Sequence, residues 1–258
     1  MGVPLRAVVV AVRRHPLAET GARTGYAASA VLHLLIGWVT LGLAWGGVAE
    51  DPDQVGALRV LAATPMGGAA LWAVAAGFGL LVLWQLADAA LVRDARRRLR
   101  PLGRAVVYAL LALTAAGVAD SPGDRELDEE ALTASLLRSP TGRGLVVAAG
   151  LVVLVMGLYH VRKGWRLGFL RDIQGSPGPW VRRAGRFGYV AKGVAFLPVG
   201  ALLLGAAVVP GSRADQGLDG ALRMLLDAPG GRLIVTLVGL GFAAYALYAY
   251  ARARHAWC

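Results

Sequence analysis

The segment Gly25–Gly37, GYAASAVLHLLIG, is written again without a gap as GYVAKGVAFLPVG over Gly188–Gly200. The two copies lead to a second shared phrase, ALRVLAATPMGG at Ala57–Gly68 and ALRMLLDAPGGR at Ala221–Arg232. A fainter middle copy opens at Gly103. Each copy reaches a Pro-x-Gly: Pro65-Met66-Gly67, Pro140-Thr141-Gly142 and Pro229-Gly230-Gly231. At one constant offset beyond each proline stands an aromatic: Trp84 after Pro65, Tyr159 after Pro140 and Tyr248 after Pro229. Self-similarity at a regular period is the mark of a repeat architecture.

The solvent for these repeats follows from composition. The chain of 258 residues is 57% hydrophobic and 17% charged, and the charges are gathered into blocks. Between them lie uncharged runs at Thr24–Ala49, Val60–Ala87, Ala105–Ala119, Gly144–Val161, Gly193–Ser212 and Leu233–Ala251. A hydrocarbon core about 30 Å thick needs roughly 20 apolar residues. Five runs meet that length or nearly so, and the third does by borrowing Leu102–Arg104 with Arg104 snorkelling. The runs lack the alternation of barrel strands, and only helices or closed barrels satisfy their backbone in lipid. The expected fold is all-α: a polytopic membrane bundle of six transmembrane helices, three tandem two-helix repeats about a pseudo-threefold axis. The repeats span 23–91, 101–163 and 186–254, behind an amphipathic cytoplasmic segment, 1–22, that includes PLRAVVVAVRR at Pro4–Arg14. That segment reads as an interfacial helix.

Orientation follows from basic residues, which are retained on the cytoplasmic side. The N-terminus, the 88–104 and 162–186 connections and the tail hold 19 Lys and Arg, against seven in the opposite loops. Acidic residues run the other way, four against 12. Both termini are expected in the cytoplasm. The net charge of +11 then faces anionic lipid headgroups, and no nucleic-acid partner is needed to explain it. The single Cys258 excludes a disulfide framework and a thiolate metal site.

Within each repeat the Pro-x-Gly reads as the entry to the second helix, because proline in a first turn lacks only an N–H that has no helical partner there. The aromatic that follows lies about 28 Å along the helix axis, at the opposite interface. Ahead of each proline, Val55–Ala63, Leu127–Leu137 and Leu218–Leu226 read as short amphipathic helices on the outer surface. From them Arg59 and Arg223 reach headgroups or an outer carboxylate. Gly37, Gly77, Gly150, Gly157, Gly200 and Gly239 are the expected points of close helix packing.

The RTGYAASAVLHLLIGW opening, the ALR-x-L-x-x-x-P-x-G block and the ARAR ending at Ala251–Arg254 resemble the bacterial membrane family called domain of unknown function 1206 (DUF1206). The resemblance implies three tandem copies of a two-helix unit and a membrane address, and it implies no reaction. Gly25, Tyr26, Gly188 and Tyr189 carry it in repeats one and three. Repeat two departs, with Arg104 in the tyrosine position and no ALR word before Pro140.

Ionisable and polar groups inside a membrane are costly and mark function. Here they are His33, Gln85, Asp88, His160 and Lys192. His33, about 14 Å into the first span, and His160, near the inner end of the fourth, lie at different depths, which argues against axial haem ligation. Gln85 and His160 immediately follow the repeat aromatic. Asp88, Lys163 and Arg252 share a further repeat position, at the cytoplasmic boundary. Asp88 and Lys192 have matching depths, so an ion pair between them is expected if the three hairpins close in a ring. Nucleophile elbows, zinc motifs and phosphate loops are missing from the sequence, and the acidic run Asp120–Glu130 lacks EF-hand spacing. No enzyme activity, cofactor or metal is therefore expected. A structural or accessory membrane component, packing with other membrane proteins, fits these features most simply. The alternatives are a small channel or transporter with a polar path near His33, Asp88 and Lys192, and an intramembrane enzyme.

Overall fold

The computed structural model describes residues 16–47, 50–92, 94–121, 136–173, 177–208 and 218–254. The main elements are α1 (Pro16–Trp45), α2 (Gln54–Ala62), α3 (Gly67–Leu91), α4 (Ala95–Asp120), α5 (Pro140–Trp165), a 3-10 turn (Gly168–Asp172), α6 (Pro179–Val208), α7 (Leu218–Asp227) and α8 (Gly231–Arg254). Six of these helices, α1, α3, α4, α5, α6 and α8, are long and apolar enough to cross a membrane. The chain is a polytopic helical bundle. The segment 1–15, nearly all of the expected helix at 127–137 and most of the acidic run at 120–130 lie outside the described residues.

The Pro-x-Gly motif has a packing cause. A Cβ at Gly67 would meet the carbonyl oxygens of Leu61 and Ala62, one at Gly142 that of Leu136, and one at Gly231 those of Leu225 and Leu226. The first turn of each second helix therefore abuts the carbonyl end of the segment before it, where no side chain fits. Proline behaves differently among the copies. Pro140 opens α5 as expected, with Ser139 capping the Gly142 N–H at 3.0 Å, whereas Pro65 and Pro229 lie in the preceding turn and α3 and α8 begin at the glycine.

Neighbouring helices follow the order α4, α3, α1, α8, α6, α5. The most extensive contacts join different repeats: α3 with α4, α5 with α6, and α8 with α1. They share one register. Gly37 meets the Gly239 carbonyl where α1 crosses α8, and Gly200 meets the Gly150 carbonyl where α6 crosses α5. Gly37 and Gly200 hold the same place after the GY pair of their copies, and Gly239 and Gly150 the same place after their prolines. The matching positions on α4 and α3 hold Ala115 and Ala75, both buried. Small residues let helix backbones approach closely, which gives van der Waals packing in a solvent that supplies no hydrophobic drive between helices. All six glycines singled out in the sequence make such contacts.

Contacts inside the repeats are less regular. In repeat one, Gly77 of α3 packs on Ala28 and Gly25 of α1; in repeat three, Gly241 of α8 packs on Ala191 and Gly188 on the Tyr245 backbone. In repeat two, α4 and α5 have no substantial contact, so the bundle is an open arc and the expected closed ring does not form. The cause is local. The positions of Ala28 and Gly77 are occupied by Val106 and Val152, which are 60% and 57% exposed, and nothing lies within 4 Å of where a Cβ on Gly103 would be.

Candidate functional site

At the middle of the arc α1, α6 and α8 meet around a half-buried lysine. Helix α1 presents Ser29 and His33 one turn apart, and α6 presents Lys192 and Phe196 with the same spacing. His33 is 8% exposed. Its Nδ1 is 2.7 Å from the Ser29 carbonyl oxygen, and its Nε2 is 2.7 Å from Lys192 Nζ. A carbonyl oxygen only accepts, so Nδ1 carries the imidazole proton and Nε2 offers its lone pair. A lysine ammonium only donates. The pair is thus a charged donor held by a neutral ring. Aromatic faces supply the other contacts: Lys192 Nζ is 4.6 Å from the Tyr245 ring centroid and 5.7 Å from that of Phe196. The His33 ring packs 4.6 Å from Tyr245 and 6.2 Å from Phe242.

Lys192 therefore turns to His33, and the expected pair with Asp88 does not form. Asp88 lies on α3, and α1 and α8 stand between α3 and α6 in the arc. Matching depth does not choose a neighbour around a bundle.

From Lys192 a polar and aromatic ladder runs toward the basic end of the bundle. Tyr245 packs 5.1 Å from Tyr189, Tyr189 5.3 Å from Tyr248, and Tyr248 5.1 Å from Phe169. The Tyr248 hydroxyl donates to the Phe169 carbonyl at 3.1 Å. Phe169 belongs to the 3-10 turn, which Lys163 ties down through Asp172 at 2.7 Å. Tyr248 is consequently a fully buried core residue, while its counterparts Tyr159 and Trp84 are exposed and half-buried. His160 donates through Nδ1 to the Met156 carbonyl at 2.7 Å. Its ring lies 5.7 Å from both Tyr189 and Phe196. Gln85, its counterpart in repeat one, is 2% exposed, and its Oε1 has no hydrogen-bond partner among the described residues.

Lys163 and Arg252, at equivalent positions of repeats two and three, each find the tyrosine of another repeat. Lys163 Nζ is 5.0 Å over the Tyr189 ring, and the Arg252 guanidinium is 4.1 Å over Tyr26, whose hydroxyl it also meets at 3.0 Å. The equivalent positions at the remaining junction hold Asp88 and Arg104, opposite charges where the others have a cation and a ring. At the other end of the bundle Arg223 of α7 pairs with the Asp51 carboxylate at 2.7 Å. Arg59 on α2 takes part in an interaction of its own.

Between Lys192 and the acidic end lies a cavity of about 200 Å³, walled by Val153 and Met156 of α5 and Phe196 and Val199 of α6 and rimmed by Asp53 and Gln54 at the start of α2. Phe196 borders the cavity on one side and Lys192 and His160 on the other. Tyr245 and Phe196 stand outside the residues that the repeats share. The available signal was helical spacing: Tyr245 stands at i, i+3 with Tyr248, and Lys192 at i, i+4 with Phe196, so each shares the face of its neighbour.

These features define a multi-span membrane bundle whose interior, unlike lipid-facing surface, holds a cation. The profile of the family described as Domain of Unknown Function (DUF1206) matches residues 24–91, 101–166 and 187–256. The chain belongs to that family, and the three matches fall on the three repeats. It is also similar to the uncharacterized protein YxxB of Bacillus subtilis (strain 168), at 27% identity over 242 residues covering 88% of this chain and 87% of the relative. No solved structure matches the chain.

Proposed function

We propose that the protein moves a small solute or ion across the bacterial cytoplasmic membrane along a path centred on Lys192 and His33. Both termini and the basic connections face the cytoplasm and its anionic lipid headgroups, and no covalent chemistry is involved. The observation that carries this reading is the ammonium of Lys192 held between apolar helices by a neutral imidazole, with no carboxylate pairing it among the described residues. An ionisable group there is expensive unless a pathway or a ligand uses it. The cavity above and the tyrosine ladder below extend polar or open character toward both ends of the bundle. A structural component remains the second reading, favoured by the tight ring packing of that ladder.

Proteoliposomes on a solid-supported membrane, exposed to jumps of proton, chloride and lactate concentration, test the proposal. The wild type should give currents above protein-free vesicles, and Lys192→Met should lose them. A wild type silent to every jump returns the protein to the structural reading. Cytoplasm-dependent reporter fusions should be active after Arg100 and Gly178 and inactive after Asp53 and Gly217; the opposite pattern overturns the orientation.

A further inference from the structure

We infer that the cavity beside Phe196 binds a small monoanion with a short aliphatic body, its anionic end directed at Lys192; this deepens the transport reading and rests on it. Three observations define the ligand. The walls, Val153, Met156 and Val199, are apolar and suit a hydrocarbon chain. The size is modest: about 200 Å³, where an apolar cavity of about 150 Å³ already accommodates benzene. The charge is polarised along the cavity. Asp53 stands at the rim, with one carboxylate oxygen capping α2 through the Gly56 N–H at 2.7 Å, and Lys192 stands behind the floor. A monoanion is repelled at the rim and attracted at the floor, so its head points inward; a cation meets the reverse.

Phe196 is the door. Its ring separates the cavity from an ammonium 5.7 Å from the ring centroid, and it sits one helical turn from Lys192 on the same helix. A rotation of this one side chain would open the cavity toward Lys192. The anion then supplies what the pair lacks, a negative partner for a half-buried charge that His33 and two rings hold only by a lone pair and quadrupoles.

The test uses purified full-length protein in detergent, with thermal unfolding followed as a function of added hexanoate, hexanol and hexylammonium. Hexanoate should raise the midpoint in a saturable manner, hexanol less so, and hexylammonium not at all. Val199→Trp, which fills the cavity, should abolish the hexanoate shift while leaving the midpoint without ligand close to that of the wild type. Lys192→Met should weaken hexanoate at least tenfold and bring it level with hexanol; if that variant does not accumulate, the Val199→Trp comparison decides. Hexylammonium binding as tightly as hexanoate, or hexanoate binding undiminished in Val199→Trp, overturns the inference. Hexanoate binding without currents sinks the transport reading and leaves the site standing. Currents without hexanoate binding sink the site alone.

Discussion

Helices α1 and α3 of repeat one cross at Gly25, Ala28 and Gly77, and the matching helices of repeat two do not pack together. The difference comes down to a few side chains. Where an alanine faces a glycine the backbones close; where Val106 would face Val152 they stay apart, and both valines are exposed. In lipid two helices gain nothing from being merely apolar, so the absence of a small-residue seam is enough to leave a pair open. The crossings between repeats keep small residues in all three copies, and there the bundle holds together.

The largest test is to put bulk into a closed crossing. Gly188→Leu places its Cβ on the Tyr245 backbone, and overpacking of this kind should cost about 3 kcal/mol or prevent assembly, read by SDS unfolding and size-exclusion of the detergent-solubilised protein. Gly103→Leu, the same change in repeat two, should stay within about 0.5 kcal/mol, since its Cβ meets nothing. Equal losses at the two sites would break the comparison.

Next in size is the Lys192–His33 pair, which only repeats one and three share. His33→Ala leaves the Lys192 ammonium without its nitrogen partner and should lower stability by about 2 kcal/mol. Adding Lys192→Met should recover part of that loss. Strict additivity in the cycle would mean that the two side chains act independently.

A smaller effect is expected at the junction where Asp88 and Arg104 replace a cation and a tyrosine. Asp88→Lys alone puts a second cation near Arg104 and should cost about 1 kcal/mol. Combining it with Arg104→Tyr restores the pattern of Lys163 with Tyr189 and should return stability to within a few tenths of wild type. A double variant weaker than the single would show that this junction is built on another principle.

The gentlest change should close the gap itself. Val106→Ala with Val152→Gly gives repeat two the seam of its siblings, at a stability gain of only a few tenths of a kcal/mol. Spin labels at Leu102 and Trp165, with Cys258 replaced by Ser, should then report a shorter distance between α4 and α5, approaching the separation of about 8–10 Å typical of packed helices. An unchanged distance would place the cause of the opening elsewhere than in the two valines.

The six spans, the repeat register and the glycines at the crossings were all legible in the sequence, because each depends on properties that run along the chain. Apolar length sets a span, period sets a repeat, and a residue's size is visible wherever it stands. His33, Gln85 and Lys192, which the structure buries wholly or in part, were legible for the same reason. Their partners were not. Lys192 and Asp88 match in depth, but the order of helices around the arc gives Lys192 to His33 and separates it from α3. Tyr248 has the spacing of an interfacial aromatic, and the fold of the 3-10 turn over it makes it core. The open side of repeat two was half visible, in Val106 and Val152, although a valine in a span ordinarily says nothing. Lateral order is a competition among whole helix faces, decided by which surfaces approach most closely. That choice belongs to the tertiary structure, and with it the Lys192–His33 pair and the cavity beside it.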